Sequence, residues 1–569
     1  MVCGGLLNTS RLLAVIALTI ALGVRAVQAS TYVVMIPLNS PIYDELETLD
    51  GLGYLDTYLG EIKPFSRVEA ARLTLEAERN MRMDEHFEPL AVQLTKVLDE
   101  QLSEEIGWLR SNSEDNQPSM IHPLESAEAQ YVYSSGPRRH WLIGPNGAIN
   151  AQEGTPLLPN NNGLQTDPGS NEIVRASGWA GFGSFLTGYA EGAVAGPITH
   201  DIPGTSRGQL LGAETVASLG NTAISFGQEE RWWGTSHFAP LSQSDNAKPF
   251  YALTVQNIHP RYLPWIFRYL GPGRRQIFMG QLDADRAASQ HPWIVGHVLV
   301  FKPLPTFEIG LTRAIIFGGR NNDHYNFSGF VGRFTGIATG NPAQGNTKSR
   351  AGLFLKFHLP KLRNLQVYQE IVGSDNLTYE VPTLGHYMPF LNVAYQGGIY
   401  LPRLTKDGLT DFRFEYALTP GGYSIQDGNS LYSTYDNQLY GDALGPNASE
   451  VDVQFGRWFG LRYKADMDFF YTEQAPSLYE GNTHIFYPAS SAFYPYSPLG
   501  KEHSGGVAFD LLRLPEVKRW ASARTLLDGR ARVAFEYVDS INYGEPSSFR
   551  TLVTFSMGLT PQYHSLEWR

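Results

Sequence analysis

Residues 411–416 alternate without exception: Phe412, Phe414 and Tyr416 are aromatic, while Asp411, Arg413 and Glu415 are charged. A period of two marks a β-strand, whose successive side chains point to opposite faces. The pattern recurs in residues 365–369, 451–455 and 533–537, and again where Thr551, Val553, Phe555, Met557 and Leu559 alternate with smaller or polar residues. A sheet with one aromatic and one charged face has two solutions. A soluble sandwich buries the aromatic face; a barrel gives it to lipid and keeps the charges inside.

The rest of the chain favours the barrel. Arg11, an uncharged stretch over residues 12–24 and small residues up to Ala29 describe a secretory signal with cleavage after Ala29. The single cysteine, Cys3, falls within that segment, so disulfides cannot stabilise the exported chain. Charged residues are 18 % of the chain, below the roughly 25 % of soluble domains. Mean hydropathy is nonetheless only −0.23, and no later apolar run reaches the roughly 20 residues of a membrane-spanning helix. A closed barrel satisfies every backbone polar group in lipid while looking only mildly hydrophobic on average. The formal charge of −12, less the positive charges of Arg11 and Arg25, leaves −14 and argues against nucleic acid as a partner.

Ahead of the alternating region the period changes. Ile42, Leu46, Leu49 and Leu52 share one helical face. Ser66 and Glu69 are placed to cap each other's free amides at the start of a second helix. A third helix is predicted over residues 90–109, with Leu94, Val97, Leu98, Leu102, Ile106 and Leu109 in register. Residues 111–119, rich in Ser, Asn, Asp and Pro, read as a linker, and residues 335–349 as a long loop. The expected organisation is a signal over 1–29, a periplasmic helical bundle over 30–120 and a transmembrane barrel over 121–569. An even strand number puts both termini in the periplasm, so the bundle would sit under that mouth of the barrel.

Particular residues resemble the Wzi family of capsule-assembly outer-membrane proteins. Pro37-Leu38-Asn39-Ser40 with Tyr43, Leu46, Leu49 and Gly51-Leu52, then Lys63-Pro64-Phe65-Ser66-Arg67-Val68-Glu69, are similar to its N-terminal helical region. Glu230-Arg231-Trp232-Trp233-Gly234, followed by Ser244-Asp245-Asn246-Ala247-Lys248-Pro249, resembles its most specific barrel motif. Gly310-Leu311-Thr312-Arg313 with Ile316-Phe317-Gly318-Gly319 resembles another. The resemblance implies a barrel of about eighteen strands in a Gram-negative outer membrane. It further implies closure by a periplasmic bundle and extracellular loops, and binding of capsular polysaccharide or exopolysaccharide without catalysis. One departure is the C-terminus, where Trp568 is penultimate and Arg569 last; barrels often end on an aromatic residue.

Catalytic spacings are missing: the chain has no Gly-x-Ser-x-Gly elbow, no His-Glu-x-x-His helix and no Gly-x-x-x-x-Gly-Lys loop. Asp283 and Asp285 could hold a cation or flank a glycosidic bond, but Arg286 beside them favours an inward-facing charge network. Glu229, Glu230 and Arg231 carry the same reading. His291, His297 and His324 lack a metal-site spacing, and no cofactor or metal is expected. Candidate polysaccharide contacts are Arg231, Trp232, Trp233, Tyr432, Tyr435, Arg138 and Arg139. Aromatic faces suit sugar rings, but for Trp232 and Trp233 an aromatic girdle or a packed barrel wall is the favoured reading, and for the Tyr-rich stretches girdle and glycan roles weigh equally. Tyr440 and the aromatics at 486–496 join Tyr432 and Tyr435 as loop candidates, and Arg274-Arg275 joins Arg138-Arg139 as a basic patch. Expected partners are the polysaccharide, outer-membrane lipid and the barrel assembly machinery during biogenesis, with the chain a monomer. The competing functions are a channel or polysaccharide export pore gated by the bundle, and an outer-membrane enzyme acting on lipid or glycan.

Overall fold

The computed structural model describes residues 32–569 apart from residue 86 and segments 144–148, 198–206, 284–289, 321–346, 375–377, 382–385, 390–392, 420–432, 446–447, 475–501, 521–522, 563–565 and 568–569. Among the described residues eighteen long strands close into one antiparallel barrel. They are β1 Met120–Ser135, β2 Gly169–Phe182, β3 Leu186–Pro197, β4 Arg207–Leu219, β5 Thr222–Gln228 and β6 Tyr251–Asn257. Next come β7 Pro272–Gln281, β8 Trp293–Leu304, β9 Phe307–Phe317, β10 Thr347–Leu359, β11 Leu365–Ser374 and β12 Val393–Leu401. The last six are β13 Thr410–Thr419, β14 Ala448–Phe459, β15 Tyr463–Gln474, β16 Glu502–Trp520, β17 Ala523–Asp539 and β18 Ser548–Gln562. Each pairs with the next in sequence, and β18 closes on β1 with Tyr131 opposite Phe555.

The alternation seen in the sequence is resolved as inward polar and outward apolar. In β13, Asp411, Arg413 and Glu415 are buried inside, while Phe412 packs across the strand boundary on Phe455 with ring centroids 5.1 Å apart. Phe455, Phe469, Phe509, Phe535 and Phe555 stay exposed on the outer wall although each is a large hydrophobe. Such a belt on a closed barrel is a lipid-facing surface. No described helix is long and apolar enough to cross a membrane.

Connections alternate in length for the most part, those after odd-numbered strands being longer and those after even-numbered strands tight turns, with the connections after β6 and β12 as the longer exceptions among the latter. The helices sit at the short-connection end. They are α1 Ile42–Leu52, α2 Arg67–Met83, α3 Pro89–Gln101 and α4 Ser103–Ser111. The single helix predicted over 90–109 is therefore two, broken at Leu102 (φ −115°, ψ 28°). Side-chain periodicity survived the break because Leu102 and Ile106 remain in the core. α1 ends at Gly53, whose φ of 88° lets its amide and that of Tyr54 reach back to Asp50 and Leu49 carbonyls. Ser66 caps α2 by accepting from the Glu69 amide at 3.2 Å. The reciprocal half of that cap is not made, because the Glu69 carboxylate is taken by Arg72 and His259.

Leu46, Leu49, Leu94 and Leu98 are fully buried in the bundle core, each burial stabilising by roughly 2 kcal/mol. That core is continuous with Trp458, Leu512 and Leu514 of the barrel wall. Bundle and barrel thus share one apolar interior. In an outer-membrane barrel the short turns face the periplasm, which places the helices there.

Candidate functional site

Three connections at the opposite end fold inward and knit together. Within the connection over 229–250, Trp232 and Trp233 pair with Lys63 and Ile62, tying it to the chain just ahead of α2. The Asn162 amide donates to the Asp245 carbonyl at 2.8 Å, the Ser244 amide to the Tyr440 carbonyl at 3.0 Å, and the Gln152 amide to the Asn437 carbonyl at 2.9 Å. Parts of these three connections, over 136–168, 229–250 and 420–447, therefore form one plug inside the barrel.

Buried acids of the wall hold the plug by accepting its hydrogen bonds. Glu415 accepts from the Ser236 hydroxyl (2.6 Å), the His237 amide (2.8 Å) and the Tyr368 hydroxyl (2.6 Å). Glu370 accepts from the Ser242 hydroxyl at 2.7 Å and the Leu241 amide at 3.2 Å. Gly234, at φ 152°, passes so near Glu370 and Pro240 that any Cβ there would collide with both. The Trp-Trp-Gly sequence is thereby explained: the aromatics fill the interior and the glycine admits the acid.

The candidate residues divide by position. Trp233 is 0 % exposed, packs on Phe278 and donates its indole N–H to Gln276 at 2.5 Å. Arg231 is buried between the Phe250 and Phe278 rings at 4.7 and 4.5 Å, with Glu229 3.6 Å away. Trp232 borders a lumenal cavity of about 660 Å³ and carries Lys63 over its ring at 5.3 Å. Arg139 borders the same cavity. Arg138 is half-buried in the first long connection and donates to the Thr166 carbonyl. Tyr435 is half-buried, with its ring 5.8 Å from Phe250. Tyr432, Asp285, Arg286, His324 and the aromatics at 486–496 lie outside the described residues. The structure brings together Arg231, Trp233 and Tyr435 around Phe250; it leaves Arg138 apart from them.

Periodicity did not reveal a lock near the long-connection end. Arg139 pairs with Glu502 at 2.5 Å and Glu536 at 2.7 Å. Arg550, 0 % exposed, pairs with the same Glu536 at 2.8 Å and with Glu153. Two guanidinium groups and three carboxylates thus clamp the first long connection to β16, β17 and β18. Arg274, read as half of a basic patch, is instead buried and donates to the Ile62 carbonyl at 2.8 Å. Asp283 accepts from the Asp436 amide at 2.7 Å.

At the bundle end, Asp50, Glu308 and His358 lie near enough to share a metal ion. Two ammonium groups already supply the positive charge: Lys302 stands 2.9 Å from Glu308, and Lys356 3.1 Å from Asp50. The cluster is an ion-pair network joining α1 to the wall. Two further acids fasten the bundle through three contacts, Glu47 of α1 to His237 at 3.2 Å and to Arg413 at 2.7 Å, and Glu69 of α2 to His259 at 2.6 Å. Burial opposes ionisation of both acids, but Arg413 and His237 hold Glu47 well below the usual carboxylate range. Arg72 and His259 bring Glu69 down to about 2.

The model of the capsule assembly protein Wzi family matches residues 143–508, which include the inward-folded plug and most of the wall. The chain belongs to that family. An uncharacterized 55.8 kDa protein from the cps region of Klebsiella pneumoniae is 28 % identical over 238 residues, 41 % of this chain and 44 % of that one. The chain thus matches less than half the length of that relative. The solved structure of Escherichia coli Wzi is described as an outer-membrane carbohydrate-binding β-barrel involved in group 1 capsule assembly. It superposes with a TM-score of 0.59 at 16 % identity, covering 94 % of this chain and 99 % of that one. At that identity the likeness establishes the fold, and this Wzi-family chain is an outer-membrane barrel with its helices on the periplasmic side.

Proposed function

We propose that this barrel binds capsular polysaccharide, or a related exopolysaccharide, on its extracellular face and organises its attachment to the cell without catalysing a reaction. The observation that carries the reading is the lumen of a Wzi-family barrel occupied by plug and bundle, with a cavity of about 660 Å³ left between them. Plug and bundle both pack into the interior, which suits a scaffold presenting a surface better than a conduit. The seven candidate residues then take different roles. Arg138 and Tyr435, with Tyr432, are the glycan contacts. Arg139 and Trp232 support them from beneath, and Arg231 and Trp233 hold the plug. The organisation proposed is a secretory leader over 1–29, a periplasmic unit over 30–120 and a barrel over 121–569. The protein acts as a monomer embedded in outer-membrane lipid, after insertion by the barrel assembly machinery.

Purified protein in detergent, immobilised and exposed to fragments of the host's own capsular polysaccharide, tests this directly. Binding is expected, with Arg138→Ala and Tyr435→Ala each weakening it about tenfold, or about 1.4 kcal/mol. The polysaccharide should leave prolonged incubation with its mass unchanged. Lack of binding by the wild type, or shortening of the chains, would refute the proposal.

A further inference from the structure

The connection between β6 and β7 is unlike the other short turns. It spans residues 258–271 and carries a 3-10 helix over Trp265–Leu270. Trp265 is 82 % exposed, Ile266 58 %, Phe267 52 % and Tyr269 71 %. Four large apolar side chains within five consecutive residues cannot all turn inward on a helix of three residues per turn, and none of them is buried.

Their exposure does not come from a loose loop. Arg261 and Tyr262 pair with Gly273 and Pro272 as an extension of β7. His259 is fixed to Glu69 of α2 and receives the Asn221 side-chain amide on its carbonyl at 3.0 Å. The Gly271 amide returns to the Arg268 carbonyl at 3.2 Å. The base is held by these bonds, while the apolar tip, where Trp265 packs edge-on against Phe267 at 6.5 Å, stays largely exposed among the described residues.

Two observations say what covers it. The flanking turns carry Leu219 and Leu304, both more than half exposed at the ends of β4 and β8, so the tip continues the lower edge of the lipid-facing belt. Its only ionisable groups of defined charge, Arg261 and Arg268, are exposed cations, and the Arg268 guanidinium lies 5.2 Å from the Tyr269 ring. Aromatic rings interleaved with arginine match the chemistry of a lipid interface with anionic headgroups. We infer that residues 261–269 form a foot lying in the periplasmic leaflet of the outer membrane. Trp265, Ile266 and Phe267 enter the boundary between headgroups and acyl chains, and Arg261 and Arg268 meet lipid phosphates. The foot fixes the height and tilt of the barrel beside the helical bundle.

A nitroxide on Phe267→Cys, in the chain without the leader that carries Cys3, reads the depth in reconstituted bilayers of phosphatidylethanolamine and phosphatidylglycerol. Labels at Met83→Cys on α2 and Phe555→Cys on β18 give the aqueous and lipid references. The foot should favour oxygen over a water-soluble nickel chelate several-fold more than position 83 does, though less than position 555. An accessibility equal to that at 83 overturns the inference and returns the patch to a soluble partner. Tryptophan quenching by brominated lipid checks the unlabelled protein: Trp265→Ala should lose part of the quenching, and an unchanged fraction contradicts the foot.

Discussion

Arg550 shows what a single residue does in this barrel. Its guanidinium is withdrawn from solvent between Glu536 and Glu153, so removing it leaves the buried Glu536 to Arg139 and the half-buried Glu153 to the backbone amides of Arg139 and Leu157. Breaking such a pair from one side costs about 3–5 kcal/mol. Arg550→Ala should accordingly lower the temperature at which the folded band converts to the unfolded band on a denaturing gel, whereas Arg550→Lys should lower it less. An unshifted transition in the alanine variant would remove the lock. None of this was legible in the sequence. Arg138-Arg139 read as loop charges or ligand contacts because the partners of Arg139 are 363 and 397 residues away, and periodicity carries no information about pairing at that range. The same limit applied to Arg231 and Trp233. Their residue types suited a sugar, while their places in the interior are set by Phe250 and Phe278 on other elements.

Elements were easier to read than sites. Alternation located β11, β13, β14, β17 and β18, because a wall with lipid on one side and polar groups on the other must alternate. β8 escaped this reading: Ile294, Val298 and Val300 face an apolar plug and not a charged lumen, so both faces of the strand are hydrophobic. Residues 335–349 read as loop throughout, yet β10 begins at Thr347; the earlier part lies outside the described residues. The helices were recognisable by their stripes, but the attachment of α1 and α2 to the barrel depends on Glu47 and Glu69, which look like surface acids in a helical pattern. Glu69 is held at about 2, below its unfolded value of roughly 4.3. Its contribution is therefore complete above that unfolded value and is lost as pH falls from there through 2. The loss amounts to about 3 kcal/mol. Hydrogen exchange of α2 in reconstituted protein should show protection retained at pH 5 and declining between about pH 4 and 2. Glu69→Gln should weaken protection already at pH 7. Equal protection of α2 at pH 3 and pH 7 would contradict the clamp.

At the scale of the whole molecule, length asymmetry of the connections orients the barrel and places the bundle and the plug at opposite ends. The plug is the part that periodicity could not have foreseen, since apolar residues such as Trp233, Leu241 and Phe250 stand irregularly among polar ones and only the fold turns them inward. A channel and a closed scaffold would share the same belt, the same alternation and the same charge. What separates them is how Glu370 and Glu415 receive the 229–250 connection from within. On the proposed reading, a barrel occupied in this way acts through its extracellular face. Deleting the gene in its native host and measuring cell-attached against released polysaccharide tests that most directly. Total polysaccharide should be unchanged, with the attached fraction falling and the released fraction rising, and both restored by the intact gene. An unchanged attached fraction, or a fall in total polysaccharide with none released, would contradict a role in attachment.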